Sequence, residues 1–207
     1  MQGSLLLGIP LSPHTVAKLV LYLKELLRWN EKTNLTALRT EQDIISKQFL
    51  DSLAAFKVLN PAGLINPSRA YHVVDIGSGA GFPGLVLKLH EPTLSIYLIE
   101  PATKKAAFLH HIIGLLGLSD THVVMSRIEQ WMPARQECDL LTTRAVRSEV
   151  LFDAAPRLLS KAGRMLLYRA RPLETPPSGF EVIHEESFTL PYANDPRTLS
   201  LLQPTGP

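Results

Sequence analysis

The densest chemical information in this chain lies in Asp75-Ile76-Gly77-Ser78-Gly79-Ala80-Gly81-Phe82-Pro83-Gly84. An acid two residues ahead of Gly-x-Gly-x-Gly sets a carboxylate beside a backbone that can adopt positive φ and approach a ligand without a Cβ in the way. Pro83 suits the first turn of a following helix, whose free N–H groups suit an anionic group on that ligand. Two phosphate-binding alternatives fail on residue type. A dinucleotide fingerprint needs its third glycine at position 82, where Phe82 stands. A Walker A loop needs Gly-Lys followed by Ser or Thr, and no such triplet occurs. A second acid, Glu100, closes the next apolar run.

Such a loop must be held between a strand and a helix, and the flanking pattern supplies both. Tyr71–Asp75 reads as a buried strand and Phe82 to about His90 as a helix. Leu94–Glu100 is a second strand, and Ala102–Leu116 a helix with Phe108, Leu109, Ile112, Ile113 and Leu116 inside. His122–Met125 and Asp139–Thr142 are further strands, followed by a helix over Glu149–Leu159. Met165–Tyr168 is a fifth strand, with Gly163 read as the terminator of the helix before it. Phe180–Ile183 and Leu199–Leu202 are weaker candidates. Alternating strands and helices give an α/β fold, a mostly parallel sheet covered on both faces.

Ahead of this unit the period is helical. Ser12-Pro13 is a capped helix start, and Val16, Leu19, Val20, Leu23, Leu26 and Leu27 form one apolar face. A second helix is expected from about Gln42 to Val58, with Ile44, Ile45, Phe49, Leu53 and Phe56 on a face. Asn60-Pro61-Ala62-Gly63 ends it, and Asn66-Pro67-Ser68 keeps the chain irregular. The expected organisation is a helical extension over 1–60 and one compact unit over 61–207.

The loop with its two acids resembles the S-adenosylmethionine site of class I methyltransferases. Trp29-Asn30-Glu31-Lys32-Thr33-Asn34-Leu35-Thr36 and Phe49-Leu50-Asp51-Ser52-Leu53 make the likeness narrower. With Lys104-Lys105, Phe108-Leu109, Arg127-Ile128-Glu129 and Thr143-Arg144-Ala145, the chain resembles the RsmG (GidB) family over about residues 16 to 170. That resemblance implies a Rossmann-like class I fold and S-adenosyl-L-methionine as cofactor. It also implies methyl transfer to guanine N7 in 16S rRNA of the small ribosomal subunit.

By the same resemblance the glycines admit the methionine portion, Asp75 lies near its amino group, and Glu100 accepts from the two ribose hydroxyls. The implied cofactor residues are Asp75, Gly77, Gly79, Gly81, Phe82, Glu100, Pro101, Ala102, Ile128, Glu129 and Arg144. Asn30, Lys32, Asn34, Lys104, Arg147 and Arg169 are candidate RNA contacts, while Asn30, Asn34, Asp51 and Ser52 could instead tie the helices to the loop. The chain departs from the family pattern in three places: Gln48 stands for a histidine, Arg169-Ala170 for Lys-Gly, and the end lacks basic residues. Guanine N7 has an available lone pair and loses no proton on attack, so no catalytic acid or base is expected. The other reading is a non-catalytic RNA- or ribosome-binding domain of the same fold.

Composition narrows the remaining classes. With 207 residues, 45% of them hydrophobic, the chain can bury a full core. Residues 1–171 hold 20 Lys+Arg against 14 Asp+Glu, whereas 172–207 hold Arg197 against five acids. A basic body is compatible with a polyanionic partner. No basic segment precedes Leu5-Leu6-Leu7 and no apolar run reaches membrane length, so a cytoplasmic protein is expected. A monomer is expected as well. The lone Cys138 allows no internal disulfide and reads as a buried inert thiol. His110-His111 are adjacent and point apart on a helix, and no metal site is expected.

Overall fold

The computed structural model describes residues 2–64, 71–133, 138–144 and 146–205. The irregular stretch read at Asn66-Pro67-Ser68, and Ala145, lie outside them. Among the described residues seven strands form one sheet: β1 (Tyr71–Ile76), β2 (Leu94–Ile99), β3 (Thr121–Val124), β4 (Cys138–Thr143), β5 (Leu159–Arg169), β6 (Phe180–Thr189) and β7 (Pro196–Pro204). Their order is β3-β2-β1-β4-β5-β7-β6. The first five run parallel, and β7 pairs antiparallel with β5 and β6. The chain builds outward from β1 to β3, then restarts beside β1 with β4. The crevice between the carboxyl ends of β1 and β4 is therefore the topological switch point, where ligands bind in open α/β sheets.

Strand residues alternate between two cores. Val73, Ile96, Leu98, Leu140 and Leu166 join the core beneath the extension, α6 (Gly84–His90) and α7 (Thr103–Leu116). Val74, Ile76, Leu141, Met165 and Leu167 join the one beneath α8 (Ser148–Leu158). Asp75 takes the Val73 face by the period of two, which aims its carboxylate at the start of α6.

The extension opens with α1 (Gln2–Leu6) and α2 (Pro13–Thr33), the latter capped by Ser12 Oγ on the Thr15 N–H at 3.0 Å. The buried line of α2 is Thr15, Tyr22, Leu26 and Asn30. Val20, expected inside, is 46% exposed, and Tyr22 is fully buried instead. Tyr22 takes the centre because its ring stacks on Phe82 at 5.3 Å and its hydroxyl donates to the Ala80 carbonyl of the glycine loop. A buried tyrosine needs such a partner.

The second helix is broken rather than continuous. Thr40 caps α3 (Glu41–Ile44), a wide π turn covers Ile45–Leu50, and α4 (Asp51–Leu53) and α5 (Phe56–Leu59) follow. The Lys47 and Gln48 carbonyls of the wide turn accept from Arg144. Two boundaries also shift. Helix α6 begins at Gly84, after a cis Phe82–Pro83 bond, not at Phe82. Gly163 terminates no helix: α8 runs directly into β5, and Gly163 lies inside that strand. A Cβ there would come 2.7 Å from the Cys138 carbonyl, so glycine permits the close approach of β4 and β5.

These contacts make α2 a strut across the glycine loop. Replacing Tyr22 with Phe keeps the ring packing and leaves the Ala80 carbonyl without its donor. We expect a loss of about 1–2 kcal/mol in unfolding free energy, read from urea transitions. An unchanged midpoint would show that the hydroxyl does not hold the loop.

Candidate functional site

At the carboxyl edge, Gly77, Gly79 and Gly81 all have positive φ (68°, 60° and 98°), the conformation glycine alone adopts without strain. The Gly77 N–H donates to the Ile99 carbonyl at 2.8 Å, which fastens the loop to the end of β2. Glu100 is 4% exposed and fastens it again. Its Oε2 accepts from the Gly79 N–H at 2.9 Å and its Oε1 from the Ala102 N–H at 2.8 Å. A carboxylate has about four acceptor positions, so both oxygens retain capacity for further donors.

Asp75 is completely buried. Its Oδ2 accepts from the Gly84 N–H at 2.9 Å, and its Oδ1 has no hydrogen-bond partner among the described residues. The helix start expected to serve a ligand anion is thus occupied by the chain's own carboxylate. Burial pushes the Asp75 carboxyl up to about 7; the Gly84 hydrogen bond and the Arg144 charge oppose that, and Glu100 adds to it. The Ser78 hydroxyl is also buried without a partner. Two orphaned acceptors on one loop suit a small cationic donor group.

Beside the loop lies a cavity of about 190 Å³ lined by Gly77, Ile99, Pro101, Ile128, Glu129 and Val146, among others. Its walls are mostly apolar, so it suits a flat apolar group. Ile128 is buried and Glu129 exposed, in a 3-10 turn over Ile128–Gln130. That turn is anchored by Arg157, which donates to the Ile128 and Trp131 carbonyls. Phe82 stays out of the cavity. Its ring is buried against Tyr22 and Phe49, so only its backbone can face a ligand.

Arg144 lies one strand over, lining a smaller cleft of about 110 Å³ with Thr143, Val146, Ser148, Tyr168 and Arg169. Its guanidinium binds Asp51 Oδ2 at 2.7 Å and Ser52 Oγ at 2.8 Å. Sequence reading had no signal for this partnership, which joins residues more than 90 positions apart. Tyr168, 5.5 Å beneath the guanidinium, and Tyr22 were missed for the same reason.

The expected RNA residues divide. Lys104 lies in the first turn of α7, Arg147 precedes α8 and Arg169 ends β5, so all three stand on the carboxyl rim. Helix α2 runs antiparallel to α7, with Glu25 on His111 (2.7 Å) and Trp29 on Phe108 (5.5 Å). Its carboxyl end, with exposed Lys32 and Asn34, therefore reaches the same rim. Asn30 does not belong with them. It is 4% exposed, and its amide joins the Thr36 N–H (2.9 Å) to the Leu38 carbonyl (3.2 Å). That makes it a brace for the chain after α2.

Other features stand apart. A cavity of about 490 Å³ lies at the amino ends of β2 and β3, lined by Ser12, His14, Lys18, Lys88 and His90 among others. Its buried Lys88 already donates to the Pro92 and Leu94 carbonyls. Cys138 is buried, and burial pushes its thiol up to about 12, outside the range of a nucleophile. Among the described residues no cluster of three or more His, Cys, Asp or Glu could hold a metal ion, and no helix is long and apolar enough to cross a membrane.

Against known proteins, residues 15–178 match the family model for GidB, rRNA small subunit methyltransferase G. The chain belongs to the rRNA small subunit methyltransferase G family. The relative from Nitrosococcus oceani, named Ribosomal RNA small subunit methyltransferase G, is 34% identical over 98% of this chain and 92% of its own length. The one from Chloroflexus aggregans, of the same name, is 42% identical over 79% and 68%. Among solved structures, TrmN from Thermus thermophilus shares the fold with a TM-score of 0.55 at 19% identity, over 77% of this chain and 53% of that one. M. jannaschii TYW2, solved in complex with AdoMet, scores 0.53 at 16% identity, over 72% and 76%. Membership of the methyltransferase G family and the sheet order agree on a class I methyltransferase fold.

The buried carboxyl makes stability depend on pH. The folded chain holds the Asp75 proton up to about pH 7, against an ordinary value of 3.8. Its contribution is full below about 3.8 and is lost as pH rises through 7. Asp75→Asn removes that slope. Urea unfolding at pH 4.5 and 8 should show wild type losing more stability across the interval than the variant; equal losses would contradict a buried, ionisable Asp75.

Proposed function

We propose that this chain transfers a methyl group from S-adenosyl-L-methionine to N7 of a guanine in 16S rRNA, within the small ribosomal subunit. The observation that carries the reading is the pair of buried acids at the switch point. Asp75 presents an unpartnered oxygen, and Glu100 keeps acceptor capacity beside an apolar slot. The residues fit the cofactor. Asp75 Oδ1 would take the methionine ammonium, Glu100 the ribose hydroxyls, and Pro101, Ile128 and their neighbours the adenine. Gly77, Gly79 and Gly81 would line the methionine end through backbone, with Ala102 and Glu129 at the edges. When bound, the cofactor supplies an electrophilic methyl group.

What the chain itself does is bind and orient. Guanine N7 attacks with its own lone pair, so no residue has to remove a proton, and catalysis rests on alignment. Lys32, Asn34, Lys104, Arg147 and Arg169 would hold RNA phosphates around the rim, Asn30 being withdrawn from that set. Arg144, implied at the cofactor by the family resemblance, directs its Nη donors to the Lys47 and Gln48 carbonyls, Ser52 and Asp51.

The direct test is labelled methyl transfer to small subunits lacking the modification, with the product nucleoside identified by mass spectrometry. Formation of 7-methylguanosine supports the proposal, and cofactor binding without transfer supports the non-catalytic reading. A linked expectation concerns pH. An ammonium beside Asp75 requires the ionised carboxylate, so cofactor affinity should rise about tenfold from pH 5.5 to 7. Asp75→Asn should bind more weakly and show no such rise by calorimetry; the same pH dependence in the variant would remove Asp75 from the site. RNA affinity should fall steeply with salt through counterion release while cofactor affinity changes little. A flat salt response would point to contact through ribosomal protein.

A further inference from the structure

The guanidinium of Arg144 raises a problem that its own surroundings solve. Methylation of N7 forms an N–C bond from the nitrogen lone pair as the S–C bond breaks and its electron pair goes to sulfur. One positive charge passes to the purine and no proton leaves. A bare guanidinium beside that base would oppose the transfer, because like charges at close range repel strongly away from bulk water.

In this structure the guanidinium is not bare. Asp51, 4% exposed at its side chain, lies 2.7 Å from it. Among the described residues it also donates to the Lys47 and Gln48 carbonyls and the Ser52 hydroxyl and lies over the Tyr168 ring, so much of it is turned toward the extension. The second oxygen of Asp51 is 3.4 Å from Arg197 Nε. Arg144 still borders the cleft at the ends of β4 and β5, which shares Val146 with the cavity beside the glycine loop. Its field reaches Asp75.

We propose that Asp51 is a charge-compensating positioning residue of the transfer site: it cancels the Arg144 charge beside the acceptor base and holds the guanidinium against the extension. The inference rests on the N7 reading above. It gives the Asp51-Ser52 turn a part in the reaction that reaches beyond packing, although neither side chain touches the reacting atoms.

The test compares binding of small subunits before and after methylation, since only the methylated base is cationic. Wild-type protein must first yield 7-methylguanosine; if it does not, the N7 reading fails before any variant is made. Given that product, Asp51→Asn keeps shape and an acceptor oxygen but leaves Arg144 uncompensated. It should weaken binding of methylated subunits about tenfold more than unmethylated ones and lower kcat at saturating substrates. Cofactor affinity should stay within about twofold. Arg197→Gln, at the outer side of Asp51, removes positive charge instead and should shift the binding ratio the other way, about threefold. This second variant serves if Asp51→Asn folds poorly. A role in packing alone would weaken both subunit forms equally, and unchanged ratios in these variants would overturn the proposal.

Discussion

A carboxylate with no exposure to water stands at the edge of the sheet, and the neighbourhood is arranged around it. Asp75 enters the core on the Val73 face of β1, where burial alone disfavours its charge. Among the described residues the donor that meets it is the first N–H of α6, and that approach is possible because residue 84 is glycine. A Cβ at Gly84 would sit 2.9 Å from Asp75 Oδ2 and 2.6 Å from Leu98. The other oxygen has no hydrogen-bond partner among the described residues.

The extension belongs to the same arrangement. Tyr22, Phe49 and Phe82 form an aromatic cluster, with Tyr22 stacked on Phe82 and Phe49 edge-on to both. Through Phe82 and the Ala80 carbonyl the cluster covers one side of the loop. On the next strand Arg144 grips the π turn, and Tyr168 Oη donates to the Ser52 carbonyl at 3.2 Å. Donors from the ends of β4 and β5 meet carbonyls of the π turn and of α4. The helical extension and the sheet thus share one core and one polar seam.

The departure at Gln48 reads differently in this light. Its contact with Arg144 is made by the backbone carbonyl, which any residue would present. Arg169 keeps a cation on the rim, with its Nε turned toward the Arg171 carbonyl at 3.3 Å. The acids of the tail are partly engaged: Glu185 accepts from Ser200 of β7 and from the Leu173 N–H, and Glu186 pairs with Lys57 of α5.

The sequence alone determined the strands, the order of strand and helix, and the glycine loop between two acids. Each depends on local periodicity or on the allowed φ of single residues, both of which are written in neighbouring positions. It also carried the family likeness, because that rests on short runs such as Trp29–Thr36. Only the tertiary structure decided which way the side chains of the site are engaged. Val20 and Tyr22 exchanged places because one hydroxyl found a carbonyl 58 residues away. Asn30 became a brace, Asp75 took the helix start that a ligand was expected to use, and Arg144 turned from the cavity to Asp51. For Tyr22 and Arg144 the deciding partner is distant in sequence, whereas Asn30 and Asp75 take partners six to nine positions away that only the fold turns toward them. A polar group removed from water takes the partner that the fold brings within hydrogen-bond reach.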